Sequence, residues 1–394
     1  MSNMASKHSV FDPESIKRVQ EALPDKPFER QPTMNYFLEP EGKRLNEYEQ
    51  LIGYTMQAGD QLGGGIEAGD FQQKHPGGRG AYVAESTELR STDWWKFRDP
   101  NKNWFFPYVK AKSEEGRHTD RHLTAYSASG DIRGVNPEWL NIVDGLYGGM
   151  IFMEYGLFNS HSSATKDSLS DFIKMWIAET SFDKNDAAQI IQTQRVFTNK
   201  ILPSFPADLD TPKDLWMNDP VYVKIRETVQ ELWQGTFDWG EIVWSVHGVF
   251  DPIVGQFMRR EFFSRLAPLY GDTLTPWMLS QSLDYAQSAK KGTVKLMTEV
   301  LPVDPVYGEH NAAVVNAWTE KWLPDTIASL KGFMAAYEML PYQIEGFTDK
   351  VSVEKSVRLV INDWETDFAK PSGFSVDVDA LVLEVMSGYK QGVQ

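Results

Sequence analysis

Glu115 and His118 stand three positions apart in the stretch SEEGRHTDRH, and His122 follows one helical turn later. On an α-helix the three fall within about 60° of arc, because each residue turns the chain by about 100°. A carboxylate and two imidazoles on one face could serve a single transition-metal ion. A carboxylate-bridged diiron centre in a helical bundle asks for more: one Glu from each of two helices and a Glu-x-x-His from each of two others. Four carboxylates are needed to bridge and neutralise two irons, and each imidazole supplies a terminal nitrogen.

The inventory stops at the second motif. Glu154 has Leu157 at the required spacing and Glu241 has Trp244, and neither side chain coordinates a metal. His161 shares a side with Glu154 but lies nearly two turns away, and His247 sits about 240° round the axis from Glu241. The expectation is therefore no catalytic, cofactor-binding or metal-ligating residue in this chain. EEGRHTDRH is expected to be a hydrated helix face, with Arg117, Asp120 and Arg121 beside the histidines. Asp183, Asp186, Asp251, Arg259, Arg260 and Glu261 are expected to cap helices, pair between them or make polar interface contacts. No Walker loop, GxGxxG, GxSxG or HExxH occurs, and with no cysteine present, disulfides, thiolate catalysis and Cys-ligated metal centres are excluded.

The elements that must position these residues are helices. A first helix is expected through KSEEGRHTDRHLTAYSAS, stopping near Gly130. Asn136 can cap the next, with Pro137 in its first turn; Leu140, Val143, Leu146, Tyr147, Met150, Met153, Tyr155 and Leu157 then recur as densely as a buried helix requires. Gly145, Gly148 and Gly149 permit close helix approach. Helical character continues to about residue 202 and resumes over 220–267, 277–299, 310–340, 352–369 and 377–388, with no alternating strands or internal repeat. Residues 1–110 concentrate Pro and Gly yet carry aromatics that need burial, which predicts an extended arm lying across a partner, followed by a helical domain at 111–390.

A formal charge of -16 opposes nucleic acid and anionic lipid as partners. The opening MSNMASKHSVFDPES has no hydrophobic region and no run of 18 apolar residues follows, so the expectation is a soluble, cytoplasmic chain without membrane contact. Thirteen Trp, fifteen Tyr and twenty-two Phe exceed what one helical core needs, which favours protein–protein contacts for many of them over a large aromatic core.

Longer strings carry a resemblance. YFLEPEGKRLNEYEQL, STELRSTDWWKFRDP, YVKAKSEEGRHTDRHL, EYGLFNSHSS, VQELWQGTFDWGEIVWSVHGVFDPIVGQFMRREFFSRLAPLYGDTLTP and NAWTEKWLP, in this order from about residue 10 to 390, are similar to β subunits of the hydroxylases of bacterial multicomponent monooxygenases, those of soluble methane and short-chain alkane (butane) oxidation above all. The resemblance implies a ferritin-like, ribonucleotide-reductase-like all-α fold. It implies an α₂β₂γ₂ hydroxylase in which the α subunit holds the diiron centre and the β subunit, lacking the iron ligands, supports it. A reductase with FAD and [2Fe–2S] passing electrons from NADH, and a small regulatory protein, complete the system. Methane is the first expectation for substrate and butane or another short alkane the second. A self-contained diiron oxidase and a helical scaffold unrelated to oxygen chemistry are the rival readings. Tyr36, Phe37, Trp94, Trp95, Trp104 and Phe105 are expected to meet other subunits; Tyr155, Trp239, Trp244, His247 and Phe250 are placed on closely packed helices, at a seam with α or in the core of β.

Overall fold

The computed structural model describes residues 40–55, 86–165 and 167–390. Among them there is no β-strand, and the chain is a helical bundle. In chain order the helices are α1 (Glu47–Thr55), α2 (Phe105–Ser129), α3 (Pro137–Ile142), α4 (Gly148–Thr165), α5 (Asp171–Ile201), α6 (Asp210–Asn218), α7 (Pro220–Gln230) and α8 (Trp239–Trp244). They are followed by α9 (Leu274–Val294), α10 (Gly308–Phe333), α11 (Lys350–Trp364) and α12 (Val378–Met386). A π-helical turn, Val143–Tyr147, joins α3 to α4, and α8 runs on as π-helix through Ser245–Gly255 and Phe257–Ser264. None of these helices is long and apolar enough to cross a membrane.

Local chemistry sets the helix ends. Gly130, at φ 73°, terminates α2 in the left-handed conformation that costs glycine least. Asn136 Oδ1 accepts from the backbone N–H of Glu138 at 2.7 Å and opens α3, with Pro137 in its first turn. Asp219, Asp349 and Asp377 cap α7, α11 and α12 in the same manner. The helix expected through KSEEGRHTDRHLTAYSAS begins earlier, at Phe105, and Pro107 is tolerated because the first turn needs no N–H from it.

Four elements enclose the centre. The longest shared face lies between α4 and α5; α5 packs on α9, α9 on the π-helical continuation of α8, and α8 on α4. Close approach depends on glycine: a Cβ on Gly149 would stand 2.6 Å from the ring of Tyr222, and one on Gly156 would stand 2.3 Å from Val229. Many large rings are spent internally: Trp139, Trp176, Trp239, Trp244, Trp322 and Trp364 are fully buried.

The segment before α2 also lies on its own chain where it is described. Leu89 and Phe97 are fully buried, Trp94 packs edge-on to Trp239, and Arg90 and Asn311 exchange hydrogen bonds of 2.9 and 2.8 Å. Asp238 Oδ2 accepts from the N–H of Glu88 at 2.5 Å while its Oδ1 caps α8 through Gly240 at 2.8 Å. For residues 86–104, then, the surface crossed belongs to the same bundle. Tyr36 and Phe37 lie outside the described residues.

Candidate functional site

At the middle of the bundle two carboxylates meet two cations. Glu154 comes from α4, Lys184 from α5, and Asp251 and Arg259 from the π-helical run after α8. Lys184 Nζ reaches Glu154 Oε2 at 3.1 Å and Asp251 Oδ1 at 2.8 Å. Arg259 donates to Glu154 Oε1 at 2.5 Å and to Asp251 Oδ1 at 2.8 Å. Each cation therefore bridges both anions, and all four residues are buried. An unpaired ion here would cost several kcal/mol of desolvation, so the pairing is what makes the burial tolerable. Burial alone would raise the Asp251 carboxyl, yet Arg259 and Lys184 hold it well below the usual carboxylate range.

Two histidines border this cluster. The rings of His161 on α4 and His247 after α8 lie 4.3 Å apart at their centroids. His161 Nδ1 donates to the carbonyl of Leu157 at 3.1 Å, which assigns its tautomer and leaves Nε2 with a bare lone pair. Burial pushes His161 down to about 4 and His247 well below the ordinary histidine value, with Lys184 adding to both. Both imidazoles are neutral at pH 7.

The arrangement does not fit a pair of irons. Leu157 and Trp244 are fully buried at the two positions where Glu-x-x-His spacing would require imidazole. Glu241 is engaged elsewhere, accepting from Lys321 and from the indole of Trp322, each at 2.7 Å. Trp244 donates to Thr319 Oγ1 at 2.9 Å. The two carboxylates that do face inward already carry ammonium and guanidinium. Among the described residues no three His, Asp or Glu side chains stand ready to hold a metal ion.

Glu115, His118 and His122 are not brought together on an ion either. Glu115 Oε2 lies 2.8 Å from the Tyr285 hydroxyl oxygen and pairs with Lys112 at 3.4 Å. His122 stacks on Trp277 with centroids 3.7 Å apart, and His118 is exposed. Beneath this face lies a second, acidic cluster: Lys112 reaches Asp183 at 2.7 Å and Asp186 at 3.5 Å, Tyr108 donates to Asp183 at 2.9 Å, and Tyr285 donates to Asp186 at 2.6 Å.

The interface candidates divide by placement. Trp239, Trp244, His247 and Phe250 belong to this chain's core and offer no surface to another. Trp94, Trp95 and Trp104 are half-buried against that core. Phe105 and Tyr155 are open, 68% and 50% exposed, and Phe106, Val109 and Phe182 are exposed as well. The central cluster as a unit was missed by sequence reasoning. Its signal was single charges inside apolar runs, Glu154 in GGMIFMEYGLF and Asp251 and Arg259 in VFDPIVGQFMRREFF.

Comparison with known proteins supplies the relatives. The family model for methane, phenol and alkene hydroxylases matches residues 72–301. The methane monooxygenase component A beta chain of Methylococcus capsulatus is 44% identical, over 98% of this chain and 98% of its own length. The component of the same name from Methylosinus trichosporium is 42% identical over 99% and 98%. The propane 2-monooxygenase hydroxylase small subunit of a Gordonia species is 23% identical over 65% of this chain and 68% of its own. Among solved structures, phenol hydroxylase from Pseudomonas sp. OX1 superposes with a TM-score of 0.62 at 15% identity, covering 75% of this chain and 85% of that one. Toluene 4-monooxygenase superposes with a TM-score of 0.58 at 18% identity, covering 63% and 80%. These two establish likeness of fold. Matched over more than half its length by the family model and nearly end to end by relatives above 40% identity, the chain belongs to the methane, phenol and alkene hydroxylase family.

Proposed function

We propose that this chain is the β subunit of a soluble methane monooxygenase hydroxylase and contributes no active site of its own. The observation that carries this reading is the central cluster: its inward carboxylates are held by Lys184 and Arg259. Oxidation of methane to methanol is assigned to a partner α subunit bearing the diiron centre, within a cytoplasmic α₂β₂γ₂ assembly. The reductase, with FAD and [2Fe–2S], and the regulatory protein act on that assembly. What this chain's residues do is mechanical. Interlocked α4, α5 and α8 give a stiff surface, and exposed Phe105, Phe106 and Tyr155 give it apolar contact area; such rings anchor obligate interfaces. A rigid support matters because small displacements of catalytic ligands cost rate steeply.

The experiment is co-purification and reconstitution. The full chain purified alone is expected to hold no stoichiometric iron, and hydroxylase activity should vanish when it is omitted and return when it is added. Two tightly held irons per isolated chain would defeat the reading in favour of a self-contained oxidase. Butane or another short alkane is the second substrate reading, supported more weakly by the distant propane relatives. Product analysis of the assembled complex separates the two.

A further inference from the structure

We propose that the groove between α2 and α5 seats a segment of a partner polypeptide that presents a lysine or arginine beside apolar side chains. The inference rests on the β-subunit reading and deepens it, by assigning both a place on this chain and a chemistry to what meets it there.

The first observation is how little of α2 this chain covers. Of its 25 residues Thr119, Leu123 and Tyr126 are buried, and from Phe105 to His118 none is. That half is tied to α5 by polar contacts, Tyr108 to Asp183 at 2.9 Å and Lys112 to Asp183 at 2.7 Å. At about 100° per residue, Phe106, Val109, Gly116 and Asp120 share about 80° of arc on one flank of the helix. Phe106 and Val109 are exposed there, and Phe182 is exposed on α5. An amphipathic helix with its apolar residues open to water gains from being covered.

The second is Gly116. Glycine weakens a helix interior, and at Gly149 and Gly156 close packing within the bundle accounts for it. A Cβ on Gly116 would meet nothing within 4 Å, so no neighbour among the described residues calls for the missing side chain. Gly116 instead lines, with Glu115, Asp120, Phe182 and Asp186, an open groove of about 440 Å³. A chain approaching from outside finds its floor there.

The third is charge. Glu115, Asp120 and Asp186 line the groove against one cation, Lys112. That ammonium is already engaged by Asp183 at 2.7 Å and lies 3.2 Å from the centre of the Tyr285 ring. The Tyr285 hydroxyl oxygen is 2.8 Å from Glu115 and 2.6 Å from Asp186, yet it has one proton to give. Glu179, which interacts with Asp183 and Lys112, is only 6% exposed and has Oε1 without a hydrogen-bond partner. The cluster is short of donors, and an incoming ammonium or guanidinium supplies several. A second copy of this chain does not fit: with a formal charge of -16, the same face turned on itself sets carboxylate against carboxylate.

The test uses the full-length chain assembled with the iron-bearing partner. With p-benzoylphenylalanine in place of Phe106, irradiation of the purified complex should cross-link this chain to a partner peptide carrying Lys or Arg among apolar residues. Gly116→Leu, Asp120→Lys and Phe182→Ser alter exposed positions. Gly116→Leu should leave the melting temperature of the isolated chain unchanged or higher, and each of the three should quicken release from the complex by about tenfold or more. His118→Ala, exposed but outside the groove, should leave release unchanged. No cross-link, a cross-link within or between copies of this chain, a partner peptide without a basic residue, or release unchanged in the three variants would overturn the inference and leave the proposed function standing. An unaltered chain that forms no complex with an iron-bearing partner would overturn both.

Discussion

Two charge clusters share helix α5 and resolve their charge in opposite ways. Lys184 points to the central one, where two carboxylates meet two cations at close range. Glu179, Asp183 and Asp186 belong to the outer one, where with Glu115 they gather around a single ammonium, that of Lys112. In the centre Asp251 remains charged, because Arg259 and Lys184 outweigh its burial. At the outer cluster burial dominates: the Asp183 carboxyl is raised, and Glu179, with Asp99 and Asp183 adding repulsion, is pushed up to about 9. Burial of a carboxyl group therefore does not decide its charge in this fold; the count of cations within reach does.

Arg259→Met should break the contrast most severely. It leaves Glu154 and Asp251 sharing Lys184, and losing one partner of a buried pair costs about 3–5 kcal/mol. Denaturant unfolding should show that loss, and Glu154→Gln added to Arg259→Met should recover part of it. Acid comes next. His161 has a folded value of about 4 against an ordinary 6.5, so the unfolded chain binds more protons in between. Stability contributed by the neutral histidines is complete above about pH 6.5 and falls as pH drops towards 4, on the order of 3 kcal/mol for His161. Melting temperatures measured over that window should decline, and His161→Gln should flatten the decline.

Glu179 has the opposite sign. Its folded value exceeds its unfolded one, so ionisation weighs against folding increasingly as pH rises from about 4.5 towards 9. Glu179→Gln should raise stability at pH 7 by about 1–2 kcal/mol and bring almost no gain at pH 4. The smallest effect belongs to His118→Ala, expected within about 0.5 kcal/mol because the side chain is exposed. Equal losses from His118→Ala and Arg259→Met would erase the distinction between centre and surface.

The parts of this architecture that depend on neighbours in the chain could be read from the sequence. Asn136 with Pro137, Gly130, and the dense apolar recurrence through Leu157 each dictate structure within a turn or two, and each appears where expected. The start of α2 at Phe105, ahead of the expected KSEEGRHTDRHLTAYSAS, could not be read, because its N-cap Trp104 makes no side-chain cap that the sequence could announce. The burial of Leu157 was likewise legible in that apolar recurrence. The central charge cluster was not legible: Glu154 and Arg259 are 105 residues apart, and only tertiary packing brings them to 2.5 Å. His161 and His247 likewise meet only because α4 lies beside the run after α8.

Asp238 uses its two oxygens on two different tasks, one at the head of α8 and one on the backbone at Glu88. A chain begun at residue 105 would thus lose more than a peripheral strap. The helix leading to His247 and Asp251 would start with a half-occupied carboxylate and with the faces of Trp239 and Gly240, now covered by Trp94 and Leu89, opened to water. The first turns of α8 would then fray, so trimming the N-terminal side should loosen the buried centre from a distance, and the two cannot be treated as separable modules.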